Sequence, residues 1–292
     1  MSDSKIFQEF EQSFLGRDLE VEVKGCGKQE LAALFVEVFR DHQPVLEGGC
    51  GSGKWLHFLK REGIASVGLD WSEPLQAVSR AYDTSVQFDT GDLRDLPYTD
   101  ETFGGVMALG SIEHVIEGPR KILQELYRVL RKGGAGIITV PYYSPVARVT
   151  QGCCGEPARQ LARSGFFRKL TGKPSLKPGN PVSYRELVVQ RYRKDIYMEL
   201  DFDGYFFEYR FRQDQLREEL ERAGFVVEKL YPYAGEFGLY LQLSNVLKLG
   251  RLVATFDRKA EVIHFTPLGK LLVKLLPAQQ SGHMLCAVVR KK

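Results

Sequence analysis

The sequence predicts an α/β fold in which helices cover both faces of a mostly parallel sheet. Short apolar segments alternate with amphipathic segments of helical period, which is the pattern of repeated strand–helix units. Two of the apolar segments end in an acid, Glu47 and Asp70, and these acids lie 23 residues apart. That separation is close to the one-unit offset at which nucleotide-binding α/β folds place an acid. Because parallel strands end at the same edge of a sheet, we expect both acids at one ligand-binding edge.

A glycine-rich turn follows the first predicted strand and distinguishes between classes of cofactor. Residues 45–55 read Val-Leu-Glu-Gly-Gly-Cys-Gly-Ser-Gly-Lys-Trp, so the spacing is E-x-G-x-G-x-G. Dinucleotide-binding turns instead have the spacing G-x-G-x-x-G, and their helix binds a pyrophosphate. The carboxylate of Glu47 would repel a phosphate but would suit an ammonium group, and a side chain at Gly49 or Gly51 would fill space that a cofactor needs. A glycine-rich turn that binds nothing is the alternative interpretation.

The remaining elements follow in the order that a doubly wound fold requires. An apolar stripe at residues 122–130 predicts a helix with basic residues in its last turn, and Gly133 and Gly134 are expected to end it. A second helical stripe at 31–39 would either pack on the sheet or cover the cofactor. The strand at 283–290 is expected to lie antiparallel at the edge of the sheet. The predicted strands after the first lie at residues 66–71, 85–88, 106–109, 136–140, 225–227 and 283–290.

The glycine turn resembles motif I of the class I S-adenosylmethionine-dependent methyltransferases. The segment Gly-Asp-Leu-Arg-Asp-Leu-Pro-Tyr at 91–98 is similar to their G-D-x-x-x-L-P-F segment, and Arg-Val-Leu-Arg-Lys-Gly-Gly at 128–134 also resembles the family. The resemblance is strong over about residues 44–140. It implies a Rossmann-like sheet of seven strands, mostly parallel with an antiparallel last strand, helices on both faces and a substrate-cap insertion. It also implies S-adenosylmethionine as the cofactor.

The resemblance assigns roles to the residues of these motifs. Glu47 would lie near the amino group of the cofactor's amino-acid tail, and Asp70 would accept hydrogen bonds from the ribose diol. For Asp70, a loop acid or helix-capping acid is the alternative interpretation. Asp92 and Leu93 would bind the adenine, and Trp71 would pack near it. The full set of implied cofactor-binding residues is Glu47, Gly48, Gly49, Cys50, Gly51, Gly53, Asp70, Trp71, Gly91, Asp92, Leu93, Leu109 and Gly110.

The segment after the fourth predicted strand contains the candidate catalytic residues. It reads Gly-Ser-Ile-Glu-His at 110–114, and by the family pattern it faces the transferred methyl group. His114 titrates near neutrality and is the candidate base, with Glu113 beside it. A structural histidine is the alternative interpretation. The segment is similar to E-x-x-E-H of ubiquinone-pathway O-methyltransferases, which binds a divalent metal, but Gly110 replaces the first acid. We therefore expect no required metal.

Segments beyond the core are expected to select the acceptor. We predict an N-terminal helical extension at 1–42, a methyltransferase core at 43–141 and 210–292 with an insertion at about 231–281, and a cap at 142–209. Tyrosines concentrate after the fifth strand, and Tyr142, Tyr143, Tyr205 and Tyr209 are candidate acceptor-binding residues. A basic run at 159–177 suits an anionic acceptor or a membrane surface, or is a solvated face. Leucines at helical spacing in 268–275 form a core-facing helix or, less expected, an interfacial one.

Bulk properties restrict the remaining classes of function. The net charge of +3 is too small to indicate a nucleic-acid partner, and no apolar run approaches the roughly 20 residues that span a bilayer. Five cysteines without a C-x-x-C pair, and a start that lacks a signal-peptide core, favour a cytoplasmic protein with reduced thiols. We predict a methyltransferase that acts on a small or lipid-like acceptor, with oxygen favoured. The alternatives are a non-catalytic cofactor-binding module, a peripheral-membrane lipid or quinone methyltransferase, and a nicotinamide dehydrogenase, against which the glycine spacing argues.

Overall fold

The protein is described by a computed structural model that covers residues 4–151, 169–170, 192–200, 206–243, 250–257 and 262–292. Its centre is a seven-stranded sheet, and two pairs of strands lie outside this sheet. The strands of the main sheet are β1 (Val45–Gly48), β2 (Ser66–Asp70), β3 (Gln87–Thr90), β4 (Phe103–Leu109), β5 (Leu130–Pro141), β8 (Val226–Tyr233) and β11 (Met284–Arg290). The outer pairs are β6 (Tyr197–Leu200) with β7 (Phe206–Arg210), and β9 (Ala254–Asp257) with β10 (Val262–Phe265).

The strand order confirms the predicted seven-stranded, mostly parallel sheet. The order is β3-β2-β1-β4-β5-β11-β8, and β1 pairs in parallel with both β2 and β4. The order of strands reverses between β1 and β4, because β2 and β3 are added on one side of β1 and β4 and β5 on the other. Ligands of α/β folds bind at such a reversal. Strand β11 is antiparallel, but it lies between β5 and β8, so its expected place at the edge is wrong. Its residues 285–289 are all buried, which suits an interior strand.

Helices cover both faces of the sheet. On one face, Phe35 and Phe39 are fully buried and belong to one apolar cluster with Met107 and Ile137 of the sheet, so the N-terminal stripe packs on the sheet. The other face packs mainly against two helices, Arg120–Val129 and Gln213–Arg222. The helices of the described residues are α1 (Ser4–Leu15), α2 (Leu19–Cys26), α3 (Ala32–Phe39), α4 (Lys54–Arg61), α5 (Glu73–Tyr82), α6 (Arg120–Val129), α7 (Pro145–Thr150), α8 (Gln213–Arg222), α9 (Gly235–Leu241), α10 (Gly250–Val253), α11 (Pro267–Leu275) and α12 (Ala278–Ser281).

Helix α6 ends earlier than its sequence predicts. Leu130 is already extended and fully buried, and it pairs with Phe103 of β4, so β5 begins at once. Arg131 therefore does not lie in the last helical turn, and its guanidinium instead donates to the carbonyl of Thr102. Gly133 has a φ of 75° and donates its N–H to the carbonyl of Lys291. The expected glycine stop is wrong, because pairing and burial of Leu130 outweigh the helical propensity of residues 130–132.

Helix α11 differs from the core-facing helix that was expected. Leu268, Leu271 and Leu275 are exposed by 50, 52 and 62% of their surface. Lys270 and Lys274 are also exposed, so apolar and basic side chains share the outer surface of this helix. Within the described ranges, no helix combines the length and apolarity needed to cross a membrane.

Candidate functional site

The glycine turn after β1 depends on backbone conformations that other residues adopt at a cost. Gly49, Gly51 and Gly53 have φ values of 73, 55 and 78°, all in the left-handed region. A Cβ added at Gly49 would lie 2.5 Å from the Cβ of Ser111, which follows β4. A Cβ added at Gly51 would lie 3.4 Å from the ring of Phe14. In this structure the space beside these glycines is therefore bordered by protein side chains, which is a reason for glycine that the sequence did not reveal.

Glu47, at the end of β1, is a buried acid that lacks, within the described part of the chain, a hydrogen-bond partner for one of its oxygens. Its side chain is buried, and Oε2 has no hydrogen-bond partner among the described residues. Burial raises the pKa of Glu47 to about 8, while the charge of Lys54 opposes this shift. A buried carboxylate without a partner is costly unless a positive or hydrogen-bonding group reaches it. The orphaned oxygen at the end of β1 thus fits an ammonium group of a ligand.

Asp70 stands at the end of β2 and organises the same turn. Its Oδ2 accepts a hydrogen bond from the N–H of Gly51 at 2.8 Å, and its Oδ1 accepts from the N–H of Ser72 at 3.1 Å. Burial raises the pKa of Asp70, and these two hydrogen bonds oppose the shift. The side chain therefore links β2 to the glycine turn. Its binding to a ribose stays a prediction, because a carboxylate with four acceptor positions can still take further hydrogen bonds.

Two predicted adenine-binding residues are Asp92 and Leu93, and Asp92 has a partner that the sequence did not predict. Asp92 is paired with Arg94, whose Nη2 lies 2.7 Å from its Oδ2, and this hydrogen bonding lowers the pKa of Asp92. Leu93 packs beside the end of β1, where a Cβ at Gly48 would lie 2.8 Å from its Cδ2. Trp71 is 44% exposed, as an adenine-stacking ring would need to be. The other predicted cofactor residues lie at or just beyond the carboxyl ends of β1, β3 and β4, namely Gly48, Cys50, Gly53, Gly91, Leu109 and Gly110.

Helix α1 lies over the turn, which the sequence analysis did not anticipate. Glu11 accepts a hydrogen bond from the hydroxyl of Ser72 at 2.6 Å. Phe14 borders Gly51, and the ring of Phe10 lies 4.8 Å from that of His114. One helix therefore contacts both the glycine turn and the predicted catalytic segment. The four-residue spacing of Phe10 and Phe14, which puts them on one helix face, was the available signal.

Glu113 and His114, which follow β4, both have largely buried side chains. Glu113 is 1% exposed, and its Oε2 has no hydrogen-bond partner among the described residues. Burial raises the pKa of Glu113 well above its usual range. The Nδ1 of His114 lies 2.8 Å from the carbonyl of Phe207, and since a carbonyl only accepts, Nδ1 must carry the proton. Burial lowers the pKa of His114, so the neutral ring has its lone pair on Nε2, 3.7 Å from Glu113 Oε1.

Sequence reasoning missed the charged residues that complete this group. Glu208 and Arg210 of β7 lie near Glu113, although Glu208 follows it by 95 residues, and Glu199 of β6 pairs with Arg210. The Nε of Arg210 donates to Glu199 at 2.5 Å and lies 3.0 Å from Glu208 Oε1. Burial raises the pKa of Glu208 to about 7, against the opposing charge of Arg210. In the sequence, the feature that could have pointed to Glu208 was its position among the aromatic residues of 205–209.

Tyr209 is a correction to the predicted acceptor-binding set. The side chain is fully buried, and its hydroxyl donates to the carbonyl of Ile116 at 2.7 Å. The same hydroxyl accepts a hydrogen bond from the N–H of Tyr192. Tyr209 therefore joins the cap strand β7 to the core, and its ring and hydroxyl are both occupied by protein.

The other predicted tyrosines differ in their surroundings. Tyr142 is buried, and its hydroxyl donates to the carbonyl of Gln279 at 3.1 Å. Tyr143 is partly exposed and stacks on Tyr197 with ring centres 4.3 Å apart. Tyr205 lies outside the described residues, as do all members of the basic run except Lys169. Tyr143 therefore remains the described tyrosine best placed for an acceptor.

The comparisons with known proteins agree with this arrangement. A family model described as a methyltransferase domain matches residues 46–138. A demethylmenaquinone methyltransferase of Symbiobacterium thermophilum is 30% identical over 199 residues, covering 64% of this chain and 70% of the relative. Ajmaline N-methyltransferase of Rauvolfia serpentina is 30% identical over 151 residues, covering 47% of this chain and 51% of the relative. For two of the curated relatives, the match spans about half of their length, 45 and 51%.

A solved structure supports the fold over nearly the whole chain. An S-adenosylmethionine-dependent methyltransferase from Mesorhizobium loti covers 92% of this chain and is itself covered completely, with a TM-score of 0.53 and 15% identity. At that identity the likeness concerns the fold alone. The matched family domain contains the glycine turn and both strand-end acids, and the Symbiobacterium relative extends the sequence similarity well beyond that domain. The chain therefore belongs to the class I methyltransferases that use S-adenosylmethionine as their cofactor.

Proposed function

We propose that this protein transfers a methyl group from S-adenosylmethionine to a small or lipid-like acceptor, with oxygen as the accepting atom. The observation that carries the proposal is Glu47, a buried carboxylate with an orphaned oxygen beside three glycines of left-handed conformation. Such a carboxylate attracts an ammonium group and repels a phosphate. The names of relatives that act on a menaquinone precursor and on an alkaloid support an acceptor of small-molecule size.

The residues of the sheet edge suit the parts of the cofactor. Glu47 would pair with the amino group of its tail, and Asp70 would bind the ribose while still holding the N–H of Gly51. Asp92 and Leu93 would bind the adenine, for which Asp92 would exchange part of its contact with Arg94. When bound, the cofactor supplies a methyl group that its sulfonium has already activated. The remaining task of the protein is to align an acceptor and to exclude water.

His114 is the candidate base on the acceptor side. An oxygen acceptor must lose a proton, and the Nε2 lone pair of the neutral ring can take it. The hydrogen bond from Nδ1 to the carbonyl of Phe207 holds the ring in that tautomer. Phe10 and Phe207 flank the ring, with centroid distances of 4.8 and 5.6 Å, and limit the access of water. Tyr143 is the described aromatic residue that would contact the acceptor.

A transfer assay with a labelled methyl group tests the proposal. The protein is incubated with methyl-labelled S-adenosylmethionine and a panel of phenols, hydroxylated quinones and amines, and the wild type is compared with Asp70→Ala. We expect labelled product on a hydroxylated acceptor and its loss in the variant. Cofactor binding without transfer to any acceptor would indicate a non-catalytic binding module. Labelled amine alone would contradict oxygen as the accepting atom, and absence of cofactor binding would overturn the proposal.

A second candidate is the same reaction carried out at a membrane surface. It is favoured by the exposed leucines of α11, which stand among the exposed Lys270 and Lys274. Co-sedimentation with vesicles of phosphatidylglycerol should then be lost in Leu271→Ser and reduced in Lys270→Gln. Val21→Ser, which replaces another exposed apolar residue, on α2, is the control. Equal sedimentation of all variants, or none by the wild type, would contradict the membrane-surface function.

A further inference from the structure

We propose that Glu113, His114 and Glu208 form a binding site for a divalent metal ion. Each residue offers one ligand atom, and these three atoms all lie within 4.8 Å of one another. The separation of Glu113 Oε1 and His114 Nε2 is 3.7 Å. Ligands bound at ~2.0–2.2 Å to one ion lie roughly 3–4 Å apart, so a modest side-chain shift suffices to complete the site.

Two carboxylate oxygens of this group are buried without a hydrogen-bond partner among the described residues. Glu113 and Glu208 are 1 and 6% exposed, and Glu113 Oε2 and Glu208 Oε1 have no hydrogen-bond partner among the described residues. Arg210 lies beside Glu208 Oε1, but its single Nε–H is donated to Glu199. Buried carboxylate oxygens without partners are rare in native proteins, because each costs the free energy of its lost hydration. A bound cation would remove that cost.

The balance of charge around the group also favours a cation. Glu113 and Glu208 lie near the guanidinium of Arg210, which also pairs with Glu199, so these two acids carry a net negative charge when both are ionised. A divalent ion would neutralise that charge. The cationic side chain of Arg210 is shared between Glu199 and Glu208, so it does not neutralise Glu113 as well.

The orientation of His114 matches that of a metal ligand. Histidine ligands commonly donate their second ring N–H to a carbonyl or carboxylate, which orients the lone pair of the other nitrogen. Here Nδ1 donates to the carbonyl of Phe207 at 2.8 Å, and Nε2 points to the side of Glu113. Phe207 is the neighbour of Glu208 in β7, so one strand supplies both a ligand and the group that orients another ligand.

The donor set indicates which ions the site would take. Two carboxylates and one imidazole suit Mn²⁺ or Zn²⁺ and disfavour soft ions that prefer sulfur. The ion would connect β7 to the segment after β4, which are distant in sequence, so its binding should stabilise the fold. An ion on Nε2 would also occupy the lone pair that a base requires. If the proposed methyl transfer is correct, His114 then acts as a ligand, and the ion itself promotes loss of the acceptor proton.

Binding of Mn²⁺ to the full chain tests the site directly. Protein treated with a chelator and then freed of it is titrated with Mn²⁺, and bound ion is measured by calorimetry and by electron paramagnetic resonance. We expect one saturable site per chain, competition by Zn²⁺, and a rise in the melting temperature on binding. Glu208→Gln and Glu113→Gln should each weaken the affinity at least tenfold.

A matched control and a second variant keep the outcome clear. Glu117→Gln replaces an exposed acid in the same region, 3.9 Å from Arg94, and should bind Mn²⁺ as the wild type does. If Glu208→Gln fails to fold by circular dichroism, His114→Gln provides the same test from the segment after β4. No saturable binding, or equal affinity in the folded site variants and the control, would overturn the proposal. Affinity for S-adenosylmethionine is measured on the same samples. If the protein binds S-adenosylmethionine but not Mn²⁺, the metal site is wrong while the proposed function still stands.

Discussion

Two regions at the same edge of the sheet build their polar contacts in different ways. On the side of β1 and β2, the contacts are made by backbone groups close in sequence. Asp70 accepts hydrogen bonds from the N–H groups of Gly51 and Ser72 within one strand–turn–helix–strand unit. On the side of β4, buried charges meet from distant segments, with Glu208 following Glu113 by 95 residues. The cofactor side is therefore a local structure, whereas the acceptor side exists only once the cap strands have packed.

Replacing His114 should have the largest effect and should concern only the acceptor side. The ring of His114 is the candidate base or metal ligand, and it is hydrogen-bonded to Phe207. Because His114→Ala removes this ring, turnover should fall ~10²–10⁴-fold. The affinity for S-adenosylmethionine should change less than threefold, because the ring packs against Phe10 and Phe207 and lies in the segment after β4. Steady-state kinetics and calorimetry measure the two quantities. Unchanged turnover would leave His114 as a structural residue.

Gly49→Ala should have the largest effect on the cofactor side. The substitution combines a left-handed φ of 73° with a Cβ that would approach that of Ser111 to 2.5 Å. We expect a loss of roughly 2–4 kcal/mol of unfolding free energy, together with loss of measurable cofactor binding. Gly63→Ala is the matched control, because it has a φ of 75° and no atom within 4 Å of the added Cβ. Equal behaviour of the two variants in thermal melts would mean that the contact with Ser111 is unimportant.

Asp70→Ala should weaken cofactor binding with a smaller structural cost. The variant leaves the N–H groups of Gly51 and Ser72 without their acceptor, which costs about 1–3 kcal/mol of stability. Affinity for S-adenosylmethionine should fall at least tenfold by calorimetry, with the fold retained. Asp83→Ala, at an exposed ion pair with Lys60, serves as the control. Unchanged affinity in Asp70→Ala would contradict the ribose assignment and would weaken the contrast between the two regions.

Glu47 should also confer a pH dependence on stability. Its pKa is about 8 in the folded protein against an ordinary value of 4.5, so unfolding releases a proton between these values. The stabilising effect of the protonated side chain is complete below the ordinary value and is lost as the pH rises to about 8. Relative to Glu47→Gln, the wild type should therefore lose up to ~1.4 kcal/mol per pH unit in this range. Denaturant unfolding at pH 5 to 8 measures this difference, and parallel curves would contradict it.

The sequence indicated most of the cofactor side, because its signals are local. The spacing of Glu47, three glycines and Asp70 places the residues within one strand–turn–helix–strand unit, and the structure puts them at one edge. It did not indicate that Ser111 and Phe14 border the glycines, since both arrive from other parts of the chain. The same reason explains the error at Tyr209, whose burial depends on the packing of the cap strand against residues near Ile116.

Periodicity and short spacings predict the α/β class and the positions of the turn residues, because they are properties of neighbouring residues. The seven strands and the family follow from the resemblance of the sequence motifs to those of the class I methyltransferases. The folded structure was needed to show that β11 lies inside the sheet, that α6 ends at Val129 and that Glu208 joins Glu113 and His114. These features depend on burial and on pairing between segments far apart in the chain. The free energies of such contacts belong to the folded state and leave little trace in local sequence.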